Sequence, residues 1–387
     1  MIAVTAKSLF TPTERIESPL LLVEDGRVAE ISSRASRSLP SAARQVDFGD
    51  AMLVPGFVDL HIHGGAGHDV MEADLGGLCE IERQLIAHGV TAYFPTTVTA
   101  PVNQTLSALD RLANAIEAAE SGATGGSRRA VPIGIHLEGP FLSHARRGVH
   151  PPEHLLPPTP AMFERFWEAS RGHIRVMTIA PELDGAEAVI KEAAKCGVCV
   201  SLGHSDADLA ATRSGVNAGA RHATHIFNAM RPLGHRDPGI LGEVLTNPDV
   251  TADLIADGVH LNPTVVQLVL RAKGTENTVL ITDATAATGM PDGRYRLGMQ
   301  EVEVKEGRCT SDGRLAGSVL TMDCAVRNVM KFANLELQQA VRLATVNPTR
   351  VAGLSQRGTL QVGSRADFVV LSANGETRQT IIGGEGL

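Results

Sequence analysis

Five short segments of this sequence carry histidine or carboxylate of the kinds that hold a divalent cation, three of them with two or more such residues. They are Asp59-Leu-His61-Ile-His63, His136-Leu-Glu138, Gly203-His204-Ser205, His222-Ala-Thr-His225 and Thr282-Asp283-Ala284. Imidazole nitrogen and carboxylate oxygen are the donors that zinc and iron accept. One such histidine alone is more often a hydrogen-bonded structural residue. Asp283 alone could equally cap a helix. Where these segments fall in the fold decides between the two readings.

They fall at strand ends. Eight apolar runs alternate with amphipathic stretches: Val58 to His63, Thr91 to Thr97, Pro132 to Glu138, Ile174 to Pro181, Cys199 to His204, His222 to Asn228, Thr251 to Asp257 and Thr278 to Asp283. The intervening LCEIERQLIAHG, LSALDRLANAIEAAE and AEAVIKEAAKCG have helical spacing, and Gly89, Gly197 and Gly219 stand where helices would be C-capped. Strand and helix alternating eight times predicts an α/β fold, a (β/α)8 TIM barrel. In that barrel, chemistry sits at the C-terminal ends of the strands. The five segments end strands 1, 3, 5, 6 and 8.

Alternation along a strand puts His61 and His63 on one face. It puts His136 and Glu138 on one face too, with Glu138 nearer the rim. His222 and His225 would face opposite ways, and His225, closer to the rim, is the expected ligand. The histidines at 68, 88, 144, 154, 173 and 235 read as surface residues.

The two ends of the chain break this rhythm. Residues 1–52 read as short strands with an Asp25-Gly26 turn, and residues 357–387 alternate similarly. They are expected to pair into a small β-sandwich domain, leaving 53–356 as the catalytic barrel. Gly125 to Ser127 and Pro151 to Pro160 read as loops.

Composition sets the outer limits. The 387 residues are 43% hydrophobic but only 3% aromatic, so a large core must be filled by aliphatic side chains. A formal charge of −8 argues against nucleic-acid or anionic-membrane partners, so an anionic substrate must be met by a local cluster of donors. No signal peptide or membrane span is readable, which makes the cytoplasm the expected location. Five cysteines are irregularly spaced, and the Cys196-x-x-Cys199 pair lacks the partner pair a zinc knuckle needs.

The segment LVPGFVDLHIHG, from Leu53 to Gly64, resembles the signature of the amidohydrolase superfamily. The segments IHLEGPF from Ile135, GVH ending at His150, LGHS around His204, ATHIFNAM around His225, DGVH ending at His260, LITDA around Asp283 and LAGS from Leu315 to Ser318 resemble the N-acetylglucosamine-6-phosphate deacetylases. The match runs in order over essentially the whole chain. Only the wording around Ala145-Arg-Arg-Gly-Val149 departs from the commoner pattern.

This resemblance implies residue roles. Glu138, His204 and His225 would be the shared metal ligands, and His61 and His63 a second position, giving one or two divalent ions, zinc or iron. Asp283 would be the catalytic acid/base. His150 and His260 would contact the sugar and its acetyl group, with His150 also stabilising the oxyanion. Asn228 and Ala229 would contact phosphate, and Leu315, Ala316 and Gly317 would line the substrate site. Arg236 would be lent by the neighbouring subunit of a homodimer. The implied reaction is hydrolysis of N-acetyl-D-glucosamine 6-phosphate to D-glucosamine 6-phosphate and acetate. A related substrate such as N-acetylgalactosamine 6-phosphate, a different amidohydrolase reaction, or an inactive binding homologue are the alternatives.

Overall fold

The computed structural model describes residues 1–121, 128–354 and 356–387. The expected loop at Gly125 to Ser127 lies outside them. The eight barrel strands run Phe57–Ile62, Val90–Pro95, Ile135–Glu138, Ile174–Ile179, Cys199–Leu202, His222–Ala223, Thr251–Ile255 and Thr278–Ile281. Strands three to eight pair in parallel and in order, as do strands one and two. Strand three joins strand two through the Thr97 N–H donating to the His136 carbonyl at 3.0 Å. Strand eight joins strand one through the Asp283 N–H on the His61 carbonyl at 2.9 Å. These contacts close the sheet into a barrel.

One long helix follows each strand, the first Leu75–Ala87 and the eighth Met322–Ala333. Asp74, Thr159, Asp208 and Asn262 accept backbone N–H bonds at four of their N-termini. Gly89, Gly197 and Gly219 have φ of 84°, 78° and 131°, conformations that end a helix cheaply only with glycine. The core is one aliphatic cluster with few aromatic rings, among them Tyr93, Phe141 and Phe166.

The chain ends build two further sheets. Ile2–Thr5, Pro19–Glu24, Arg27–Ser33 and Arg44–Asp47 form a four-stranded one, in which Asp25 (φ 47°) and Gly26 (φ 73°) turn Pro19–Glu24 into Arg27–Ser33. The second is five-stranded and pairs Phe368–Leu371 with Met52–Pro55. The two sheets share a buried cluster that includes Val4, Leu21, Leu53, Phe368 and Ile381. Met52–Pro55 thus crosses the boundary expected at residue 52, and the chain leaves the sheet at Gly56.

A four-stranded antiparallel insertion, Gly293–Leu297, Gln300–Lys305, Arg308–Ser311 and Arg314–Leu315, stands between the eighth strand and its helix. Its cluster of Leu297, Val302, Val304 and Cys309 packs on Val98 and Ala316 at the barrel mouth. The barrel reading did not anticipate it. The Glu306-Gly307 and Asp312-Gly313 pairs, all four at positive φ, are the turn signals that could have revealed it. Among the described residues no helix is long and apolar enough to cross a membrane.

Candidate metal centre and catalytic pocket

Strand alternation makes a specific demand of the first strand, and the geometry meets it. The Nε2 atoms of His61 and His63 lie 3.1 Å apart. Both face Glu138 Oε2, at 3.4 and 3.3 Å. The other oxygen, Oε1, faces His204 Nε2 at 3.2 Å and His225 Nε2 at 3.1 Å. One buried carboxylate therefore divides its oxygens between two histidine pairs. Asp283 Oδ1 lies 3.1 Å from His63 Nε2 and 3.5 Å from His61 Nε2.

These separations suit a metal. Ligand atoms about 2.0–2.1 Å from a tetrahedral zinc are about 3.3 Å from each other. Among the described residues two groups qualify by distance, His61/His63/Glu138 and Glu138/His204/His225.

Ring tautomers suit it as well. His63 Nδ1 lies 3.0 Å from the Thr96 carbonyl, and His204 Nδ1 lies 3.0 Å from the Arg146 carbonyl. A carbonyl only accepts, so each Nδ1 carries a proton and each Nε2 is the atom turned to the centre, able to ligate once it is unprotonated. Charge follows the same logic. Burial would raise the Glu138 carboxyl, but the His61, His204 and His225 rings hold it well below its ordinary range. Burial would lower His225, yet Glu138 and Asp283 lift it to about 9, and the same carboxylates lift His63 well above its usual value. Two ionised carboxylates in a dry site call for positive charge, which a divalent cation supplies.

Backbone conformation at the rim is unusual. His204, His225 and Asp283 have φ of 47°, 30° and 52°. Left-handed backbone is costly for such residues and is concentrated at functional sites. Interior partners hold it in place. The Asp253 carboxylate accepts from the His225 N–H and lies 3.1 Å from His222 Nε2, whose Nδ1 lies 2.7 Å from Thr251 Oγ1. Ser318 N–H donates to the Asp283 carbonyl at 2.7 Å. A Cβ on Gly317 would lie 2.9 Å from that same carbonyl oxygen and 2.5 Å from Thr285, so only glycine fits there.

His225 reaches the centre for a reason other than alternation. The sixth strand ends at Ala223 and the chain turns, so the opposite-face rule between His222 and His225 does not apply. His136 lies a layer deeper, with Nε2 2.8 Å from Thr178 Oγ1, and burial pushes its pKa well down. His88, expected at the surface, is half-buried and pairs with Asp323 at 3.2 Å.

A cavity of about 280 Å³ opens over the centre. Its walls include His150, Asn228, Ala229, His260, Leu315, Ala316 and Gly317 beside His63, Glu138, His204, His225 and Asp283. The Thr99 N–H donates to His150 Nδ1 at 3.2 Å. Burial, then the neighbouring His204 ring, push His150 down to about 3. His150 is thus neutral, with its proton on Nε2, 3.7 Å from Glu138 Oε2. His260 Nδ1 is held by Asp257 Oδ2 at 2.7 Å. Arg236 is exposed and does not line this cavity.

Sequence reasoning missed Thr99, Asp253 and the supporting role of Asp59. The fully buried Asp59 carboxylate accepts from Thr282 Oγ1 at 2.6 Å and from the Thr282 N–H at 3.2 Å, tying the strand of His61 to that of Asp283. Burial raises its pKa to about 6. Such residues carry no chemical signature of their own, because only the fold shows which backbone they support.

A closed (β/α)8 barrel with histidines and carboxylates converging at the C-terminal rim is the architecture of a metal-dependent hydrolase. The chain belongs to the amidohydrolase family, whose pattern matches residues 52–386, and within it to the N-acetylglucosamine-6-phosphate deacetylases. The Bos taurus deacetylase of that name is 38% identical over 379 residues, covering 94% of this chain and 90% of the relative. The Bacillus subtilis one is 35% identical over 380 residues, covering 97% and 94%. The crystal structure of the Mycobacterium smegmatis deacetylase superposes with a TM-score of 0.91 at 36% identity, covering 100% and 99% of the two chains. A variant of that enzyme in complex with N-acetyl-D-glucosamine-6-phosphate superposes with a TM-score of 0.92 at the same identity, covering 99% and 98%.

Proposed function

We infer that this chain hydrolyses the N-acetyl group of N-acetyl-D-glucosamine 6-phosphate, giving D-glucosamine 6-phosphate and acetate. The observation that carries this reading is one cavity with a metal-donor pole at Glu138 and Asp283 and a second wall at Asn228 and Ala229. The reading draws equally on the relatives of that activity. Acetate and free amine should appear in equal amounts from the gluco substrate. Faster release from the galacto epimer would move the assignment to that sugar.

In this reading Glu138, His204 and His225 would hold one divalent ion, and His61, His63 and Glu138 would hold a second. Zinc or iron suits these donors. The ion supplies Lewis acidity, which makes water nucleophilic at neutral pH. Asp283 accepts the proton of the attacking water and returns it to the departing nitrogen, since an amine leaves well only when protonated. The neutral His150 donates its Nε2–H to the acetyl oxygen as negative charge develops there. His260, fixed by Asp257, orients the sugar, and Leu315 to Gly317 close the apolar side.

Asn228 and the Ala229 backbone meet the phosphate, and Arg236 reaches it from a second copy of the chain. Arg236 suits that role because it is exposed on the loop that continues from Asn228. Sedimentation is expected to show a dimer at working concentration. A fully active monomer would rule the shared site out.

The domain reading is residues 1–52 and 357–387 as a small β-domain, with 53–356 as the catalytic barrel. The shared cluster of the two terminal sheets supports a β-domain built from both chain ends, and its Leu53 carries the first boundary on to the end of the strand Met52–Pro55. Its use is mechanical: the strand Met52–Pro55 feeds directly into the strand that carries His61 and His63.

A further inference from the structure

We infer that Arg146 is a second recognition group for the substrate's phosphate, supplied by the same chain that holds the metal donors. The inference rests on the reading of the substrate as a phosphorylated amino sugar. Among the described residues that line the cavity, Arg146 is the one Lys or Arg. Two carboxylates, Glu138 and Asp283, line the same space. A phosphate monoester carries about −1.5 to −2 charges at neutral pH. The chain's net charge of −8 gives it no general attraction for such an anion. A divalent ion offsets charge at the acetyl pole, so the phosphate pole needs a cation of its own.

The arginine is arranged for this task. Its Nε donates to Asp206 Oδ1 at 2.7 Å, and its side chain keeps 34% of its exposure. Among the described residues neither Nη1 nor Nη2 has an acceptor, so the terminal edge of the guanidinium is free to bind two oxygens at once. Asp206 does not consume that edge. It also lies 4.0 Å from Arg231 Nη1, its N–H donates to Glu182 Oε1 at 2.6 Å, and Arg231 in turn pairs with Asp237 at 2.5 Å.

Position relative to the metal centre is fixed by the backbone. The Arg146 carbonyl accepts from His204 Nδ1 at 3.0 Å, and Ser143 N–H donates to the His204 carbonyl at 2.9 Å. The loop carrying the arginine is thereby bound to a metal donor at both ends. A cation and a reactive centre held at one separation measure the substrate: only a sugar with its phosphate the right distance from its acetamide spans both. Arg146 thus sets specificity without touching the reacting atoms.

The test compares wild type with Arg146→Met, Arg146→Lys and Asp206→Asn. For each, kcat/KM is measured on N-acetylglucosamine with and without the 6-phosphate, alongside metal content and calorimetric titration with inorganic phosphate. Arg146→Met is expected to lower the phosphorylated-to-unphosphorylated ratio by roughly 10- to 100-fold, the usual size for a lost charged hydrogen bond. It should weaken phosphate binding and leave metal content at the wild-type level. The lysine should recover part of the ratio, and Asp206→Asn should lower it less. An unchanged ratio and unchanged phosphate binding in Arg146→Met would overturn the proposal. So would equal losses on both sugars accompanied by lost metal, which would mean the residue only steadies His204. Wild type that fails to release acetate from the phosphorylated sugar would instead refute the substrate reading, and the phosphate titration would still decide the role of Arg146.

Discussion

Asp283→Asn is expected to lower turnover by at least about 10² while substrate still binds, the usual scale of a lost acid/base group. The substitution keeps the shape and removes the proton acceptor. The surroundings accommodate it, because the residue is held through its main chain: N–H to the His61 carbonyl, C=O from Ser318. Burial would raise the Asp283 carboxyl, but His63 and His61 hold it well below its normal range, so it is ionised at neutral pH. A capping role is excluded by position, since the next helix starts only at Met322 with Thr321 at its N-cap. Steady-state kinetics on the variant decide the matter: a large fall in kcat with KM little changed is the expected pattern. Near-normal turnover would remove Asp283 from the proton path.

The second large effect concerns metal stoichiometry. Reconstituted protein is expected to hold two divalent ions per chain, and the double variant His61→Gln, His63→Asn only one. The split of Glu138, with Oε2 toward the first-strand histidines and Oε1 toward His204 and His225, is the arrangement of a carboxylate that serves two ions. Two imidazoles with their Nε2 atoms 3.1 Å apart at a dry rim have little reason to approach so closely without a shared partner. The competing possibility is that the His204/His225 position alone fills. Metal analysis after reconstitution separates them, and one ion in both proteins would defeat the two-ion reading.

Much of this was legible in the residues themselves. Seven of the eight strands end within two residues of expectation, because parallel strands buried on both faces read as unbroken apolar runs. His61 and His63 share a face as period two requires. Where the backbone leaves regular structure, that rule lost its force: the sixth strand is only His222–Ala223, and His225 reaches the centre through a turn at φ 30°. The insertion at Gly293–Leu315 was hidden because its short alternating strands sit inside a barrel rhythm that has no place for them. Asp59, Thr99 and Asp253 were invisible for another reason. Each acts by holding a neighbour's backbone or ring, and that depends on which strands lie side by side. The Ala145-Arg-Arg-Gly segment departs from the commoner pattern in sequence, and it is also where the structure puts a cation on the cavity wall.

The account rests on a cavity that engages an acetamide at the metal-donor pole and a phosphate at the other. The most direct measurement is kcat/KM for acetate release by metal-loaded wild-type protein, with N-acetylglucosamine 6-phosphate and N-acetylglucosamine compared side by side. Release from the phosphorylated sugar is expected, with strong loss of efficiency when the phosphate is absent. Equal efficiency on the two sugars would contradict it.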